Sequence, residues 1–250
     1  MATIKTVALI LKTMNWRDSS RIITIFTKNN GRLDVIAKGA NRYRSKYFGI
    51  LEPLNLVEVV VYYSETRDLQ ILGKAELESS FSGIKSNLEK TGFAFAILEI
   101  VYTFFKDHNP ATEFYEFVVF ILGEIERGRL TNIYFWYFML KLTSYLGFKP
   151  EFKSCRLCGK KITGRLVYFS FDSGAVICTG CGRAGQRNYQ MPSSMCHYLE
   201  HLQRTHYKKI GNIVTPELDY FEITRFLQMY LRYHTNEKLE LKALKYFKLN

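Results

Sequence analysis

Between Thr3 and about Ser79, apolar and polar positions alternate in five short runs: KTVALILKT, RIITIFTKN, RLDVIAKGA, NLVEVVVYYS and LQILGKAELE. A period of two is the signature of strands with one face in a core. Turn signals separate the runs at Asn15, at Asn29-Asn30-Gly31 and from Glu65 to Asp68. In RIITIFT the alternation puts Ile22, Thr24 and Phe26 on the face opposite Ile23, Ile25 and Thr27. Five strands at this spacing predict a small closed barrel over residues 1–80.

From residue 86 the period lengthens. SNLEKTGFAFAILEIVYTFFKD, ATEFYEFVVFILGEIERG and TNIYFWYFMLKLTSYLGF read as three helices, stopped at Asn109-Pro110, at Gly128 and between Gly147 and Pro150. The third is apolar nearly all the way round, through Ile133, Tyr134, Phe135, Trp136, Tyr137, Phe138, Met139 and Leu140. Such a helix is either central to a bundle or part of an interface. Strand-like RLVYFSF and AVICTG follow, then helices expected over Pro192 to His206, Pro216 to His234 and Glu237 to Leu249. Lys242, Lys245 and Lys248 stand toward the end of the last, where the helix dipole favours cations. The expected class is α+β: a barrel over 1–80, then a helical domain over 81–250 with an inserted module at about 150–190.

Composition adds that the chain is folded rather than disordered, since 250 residues at 47% hydrophobic and 15% aromatic carry only five prolines. Lys5 and Lys12 interrupt the apolar start, so no signal peptide is expected, and runs such as IYFWYFML are far shorter than the roughly 20 residues of a membrane span. A cytoplasmic protein is expected. The net charge of +12 is uneven: +4 over residues 1–80, −1 over 81–148 and +9 over 149–250. Basic ends suit a polyanionic partner, whose condensed counterions they would replace, against the plainer reading of a generally basic solvated surface.

The sharpest chemical motif is a pair of Cys-x-x-Cys units, Cys155/Cys158 and Cys178/Cys181, separated by nineteen residues and each followed by Gly. Two such knuckles can present four thiolates to one zinc ion at tetrahedral corners about 2.3 Å away. Gly159 and Gly182 suit them by tolerating positive φ. Four thiolates fill the coordination shell, so structural Zn2+ is expected rather than catalysis, and a redox dithiol is the weaker reading. Cys196 reads as a buried apolar thiol, and His197 and His201 as an exposed pair one helical turn apart with no assigned role.

The segment KGANRYRSKYFGILEP interleaves Lys38, Arg42, Arg44 and Lys46 with Tyr43, Tyr47 and Phe48 and has no acid before Glu52. Cations for phosphates and aromatic faces for bases are what single-strand binding requires. With a five-stranded barrel, the economical reading is an OB-fold that binds nucleic acid along its second and third strands and adjoining loops. The expected contacts are Arg17, Arg21, Arg32, Lys38, Arg42, Arg44 and Lys46. Phe48 and Ile50, beside Pro53, are expected to plug the barrel end, with at least Phe48 buried and the cations exposed.

Four stretches together resemble the bacterial recombination mediator RecO family across essentially the whole chain: WRDSSRIITIFTKNNGR, KGANRYRSKYFGILEPLNLVEV, LTSYLGFKPEFKSCRLCG and YLRYHTNEKLELKALKYF. The most distinctive is the KGA, basic-loop, LEP segment. The resemblance implies an N-terminal OB-fold, a helical domain and a zinc insertion that some members lack. It also implies binding of single- and double-stranded DNA, annealing of complementary strands, and action with RecR to help RecA replace the single-strand-binding protein SSB. The chain departs from the family pattern in the helix before the cysteines. There Phe138 is followed by Met139 where relatives often carry Phe-Glu, and Phe135, Trp136 and Tyr137 replace basic positions.

No paired carboxylates near a lysine, phosphate-binding Gly-Lys-Ser/Thr loop or patterned nucleophile and histidine occur, so a non-enzyme is expected. Two other classes remain open at this level. One is an RNA-binding OB and zinc-ribbon protein of translation or transcription; the other is a zinc-stabilised scaffold that binds protein through its apolar third helix.

Overall fold

A computed structural model describes residues 2–128, 131–182, 188–214, 220–237 and 239–246. Its strands are β1 (Ala2–Trp16), β2 (Ser20–Thr27), β3 (Gly31–Ala37), β4 (Leu56–Tyr63), β5 (Leu69–Ser79), β6 (Leu166–Ser170), β7 (Ala175–Ile177) and β8 (Asn188–Pro192). Its helices are α1 (Ser82–Lys85), α2 (Leu88–Phe104), α3 (Thr112–Arg127), α4 (Thr131–Tyr145), α5 (Ser193–Arg204), α6 (Tyr220–Thr235) and α7 (Lys242–Tyr246), with a 3-10 turn over Tyr207–Asn212. The chain divides into two units, residues 1–129 with 241–248, and residues 130–240 with the last two.

In the first unit, β1 is long enough to serve two neighbours. Its first half pairs with β4, from Ala2 opposite Tyr63 to Leu9 opposite Leu56. Its second half pairs with β2, ending at Trp16 opposite Ser20, with a bulge between Ile10 and Lys12. An extra residue bends a strand, which lets one ribbon turn the corner of a barrel. The parallel pairing of β3 with β5, through Asp34 and Leu69, completes a closed barrel ordered β1-β2-β3-β5-β4.

Alternation decides what fills it. Ile10, Ile23, Ile25, Leu33, Val35, Val57, Val59 and Val61 point inward, and Ala40, Tyr47 and Leu51 complete the core. Phe26, on the other face of β2, is also fully buried, its ring 5.1 Å from that of Phe105 and 5.6 Å from that of Tyr115. Both faces of β2 are therefore covered, and that explains its nearly continuous apolar run. The Asn87 side chain caps α2 by accepting from the Lys90 amide at 3.0 Å. Gly31 opens β3 at φ +60, where a Cβ would lie 2.5 Å from the Asn109 carbonyl oxygen.

In the second unit, α4 buries every residue from Ile133 to Leu140. The apolar circumference expected to be central or an interface is taken up by the protein's own core. Trp136 Nε1 donates to Thr224 Oγ1 at 2.9 Å, so the buried indole keeps its hydrogen bond. The small sheet, ordered β7-β6-β8, carries Phe169, whose ring sits 5.5 Å from Phe152, 5.0 Å from Phe226 and 5.5 Å from Tyr230. Cys196 is fully buried and its thiol reaches the Phe152 carbonyl at 3.4 Å.

One helix starts later than its sequence suggests. α6 ends at Thr235, the next residue, Asn236, has φ +52, and Leu239 and Leu241 bury their side chains outside any helix, so α7 begins at Lys242 rather than Glu237. Burying these two leucines outweighs local helix propensity there. The expected helix start at Pro216 and the position of Lys248 lie outside the described residues. Among the described residues, no helix is long and apolar enough to cross a membrane.

Candidate nucleic-acid interface and metal centre

The four cysteines converge. The sulfur atoms of Cys155, Cys158, Cys178 and Cys181 all lie within 4.8 Å of one another, and Cys158 Sγ is 3.8 Å from Cys178 Sγ. A tetrahedron with arms of about 2.3 Å has edges of about 3.8 Å, so the donor set matches zinc in both chemistry and size. Each knuckle is a tight turn: Gly159 N donates to Cys155 O at 2.8 Å, and Gly182 N to Cys178 O at 2.8 Å.

Burial disfavours the Cys155 thiolate, but the amides of Cys178, Cys158 and Leu157 outweigh it and pull that thiol down to about 6. Cys181 is pushed up to about 12 by hydrogen bonding with Cys178 and Cys158. One thiolate is therefore already favoured where a cation would bind. Gly159 has the expected positive φ, at +71. Gly182 does not share it; there a Cβ would lie 2.5 Å from the Tyr168 ring, so this glycine is required for space rather than for backbone conformation.

At one end of the barrel, the chain from Lys38 to Pro53 forms consecutive tight turns. Ser45 N donates to Arg42 O at 3.0 Å, Phe48 N to Ser45 O at 3.1 Å and Ile50 N to Tyr47 O at 3.1 Å. Buried Asn55 anchors the far side, its amide donating to the Gly49 and Ile50 carbonyls at 2.9 Å each, while Lys85 holds its side-chain oxygen. The near side rests on the hairpin between β1 and β2: Asn41 N donates to Ser19 O at 2.9 Å, and Asn41 Nδ2 to Asn15 Oδ1 at 3.1 Å.

This fixed loop exposes Lys38, Arg42, Arg44 and Lys46. The Arg44 guanidinium lies 5.5 Å from the Tyr43 ring centre, and Lys46 Nζ 4.8 Å from that of Tyr47 while donating to Gly73 O at 3.2 Å. An open concavity of about 600 Å³ is lined by Arg21, Arg42, Tyr43, Arg44, Phe48 and Glu52, among others.

The expectation that Phe48 is buried is corrected: it is 90% exposed, and Tyr43 91%. Tyr47 takes the plug position instead, 4% exposed with its hydroxyl donating to Gly73 O at 3.2 Å. A tyrosine can fill the barrel mouth and still satisfy its polar end, so the turn that buries it carries the next residue outward.

The seven expected contacts do not all meet. Arg21 lines the concavity but is paired with Glu52, its Nη1 2.9 Å from Glu52 Oε1. Arg17 is exposed in the turn between β1 and β2. Arg32 sits at the start of β3 whereas Lys38 follows its end, about 20 Å away at the rise of a strand. There Arg32 donates to the Tyr102 carbonyl at 3.1 Å and covers that ring at 5.1 Å.

Sequence reasoning missed Trp16 and Met14, 40% and 47% exposed on the β1 tip next to Arg17. The signal was a tryptophan at the last position before a turn, where no core face needs it.

The chain is similar over most of its length to one family. The family described as Recombination protein O N terminal matches residues 1–81, and that described as Recombination protein O C terminal matches residues 85–243. A DNA repair protein RecO of Caldanaerobacter subterraneus is 28% identical, with 94% of each chain covered. The RecO of Chloroherpeton thalassium is 27% identical over 93% of each chain, and that of Dehalococcoides mccartyi 29% identical over 82% of this chain and 80% of its own.

Proposed function

The chain belongs to the recombination protein O family of DNA repair and recombination proteins, and on that premise we propose that it binds single- and double-stranded DNA and anneals complementary strands. With RecR as partner, it helps load RecA onto strands coated with SSB. Residues 1–80 form an OB-fold nucleic-acid-binding domain in this reading, a view supported by the closed strand order β1-β2-β3-β5-β4. Residues 81–250 form the helical domain.

The observation that carries the proposal is the loop from Lys38 to Phe48, which holds four exposed cations beside the open faces of Tyr43 and Phe48. Its turns are hydrogen-bonded on both sides, so little ordering entropy is lost on binding. Lys38, Arg42, Arg44 and Lys46 replace counterions on the phosphates, while the aromatic faces receive unstacked bases. Holding two backbones near these cations lowers their mutual repulsion and raises local strand concentration, so complementary bases meet faster. No bond is made or broken by the protein. Cys155, Cys158, Cys178 and Cys181 would hold Zn2+ as a cross-link between the two knuckles, with no open position for chemistry.

The test is the annealing rate of two labelled complementary DNA strands precoated with SSB from the same organism, with and without the protein. Acceleration that disappears with Arg42, Arg44 and Lys46 replaced by Ala supports the reading. Binding without acceleration, or equal affinity for matched RNA, overturns it in favour of a generic single-strand binder.

A further inference from the structure

The first knuckle is far more basic than a metal clip needs to be. Lys153, Arg156, Lys160, Lys161 and Arg165 are all exposed, and from Phe152 to Phe171 the chain contains no acidic residue. None of the five has an acidic partner among the described residues, whereas Lys5, Lys28 and Lys74 are paired with Glu58, Glu116 and Glu76. The fold fixes the backbone at Arg156, Lys160 and Lys161. Cys155 N donates to Lys160 O at 2.9 Å, Arg156 N donates to Val176 O at 2.9 Å, and Ser154 bridges to Lys161.

Part of this charge has a local use. Zinc with four thiolates is a doubly negative group, and nearby cations would offset it. Five cations exceed that by about three, on a surface that also shows Leu157 at the knuckle tip, 65% exposed. Unpaired, like-charged side chains held together on a rigid turn repel one another until a polyanion supplies the missing charge.

We infer that the first cysteine knuckle is a second nucleic-acid contact, with Lys153, Arg156, Lys160, Lys161 and Arg165 binding phosphates of a DNA backbone. The inference rests on the proposed DNA binding but adds a site separate from the barrel loop. It gives the metal a further consequence: by fixing the knuckle it fixes the spacing of the cations.

The test is the salt dependence of binding of the zinc-loaded full chain to a fluorescein-labelled single-stranded oligonucleotide, for wild type, Lys160→Glu with Lys161→Glu, and the neutral pair Lys160→Gln with Lys161→Gln. Zinc content and thermal midpoint are measured in parallel. The expected result is a slope of log affinity against log salt that falls by about 1–2 in the Gln pair, more in the Glu pair, with zinc retained. If charge reversal releases zinc, the Gln pair alone decides. Wild-type binding with an unchanged slope in the Gln pair overturns the inference, leaving the cations to neutralise the thiolates. A wild-type chain that binds no DNA overturns the reading beneath it instead.

Discussion

Tyr47 and Phe48 are neighbours in the chain and opposite in environment: the first is 4% exposed and hydrogen-bonded to Gly73 O, the second 90% exposed. In the proposed reading, stability and binding are thereby divided between adjacent rings. Tyr47→Ala is expected to destabilise the protein by about 3 kcal/mol, as large-to-small changes in a core do. Phe48→Ala should stay within about 0.5 kcal/mol in stability while weakening single-stranded DNA binding by about 1–3 kcal/mol. Thermal unfolding and fluorescence anisotropy on the same two variants check both halves.

In the proposed reading, the exposed cations of the loop act together. Replacing Arg42, Arg44 and Lys46 with Ala should leave the thermal midpoint nearly unchanged, since their side chains are exposed and the Lys46 bond to Gly73 O is itself at the surface. Each phosphate contact removed lowers the salt slope by about 0.7 for single strands, so the triple variant should lose about 2. A salt titration that overlays the wild type would place the contact elsewhere.

Metal removal should act on stability first. Chelation, or Cys181→Ser, is expected to lower the unfolding midpoint and release zinc, because binding energy at such a site is folding energy. Gly182→Ala should do the same with all four ligands intact, since the Tyr168 ring stands 2.5 Å from the new methyl. Zinc content by atomic absorption, set beside differential scanning calorimetry, separates this steric effect from loss of a ligand.

Glu99 supplies a pH signature. Its Oε1 accepts from the Ala243 amide at 3.2 Å, while Oε2 is buried with no hydrogen-bond partner among the described residues. Burial raises its pKa above the ordinary glutamate range, only partly offset by the amides of Ala243 and Lys242 and the charge of Lys242. A carboxyl whose folded pKa is raised stabilises the fold below its unfolded pKa, and that contribution is lost as pH rises through the folded one. Glu99→Gln should therefore match the wild type in acid and become the more stable of the two toward neutral pH. Midpoints measured across that range check the sign.

The barrel was legible because strand alternation, turn residues and burial agree from Ala8 to Ala75. The cysteine pairs were legible because ligand spacing is local. What escaped depended on direction rather than pattern. The choice between Tyr47 and Phe48 is made by a turn with Arg44 at φ +62 and Gly49 at +71, and no periodicity encodes which ring enters. Arg32 looks like any basic strand residue until the Tyr102 ring and carbonyl claim it. Gly182 carries the same letter as Gly159 for a different reason, because its constraint comes from Tyr168, fourteen positions earlier.

α7 closes the first unit although some 110 residues of the second are made before it. Its Ala243 and Leu244 are buried, and its first turn is held by Glu99 of α2. On the ribosome, at about 5–20 residues per second, the roughly 140 residues from the end of α2 to α7 take about 7–28 s, and the α2 surface waits that long for its cover. The barrel can form early in synthesis, but its helical flank must wait until α7 has been made. That interval is when a nascent chain would most need a chaperone.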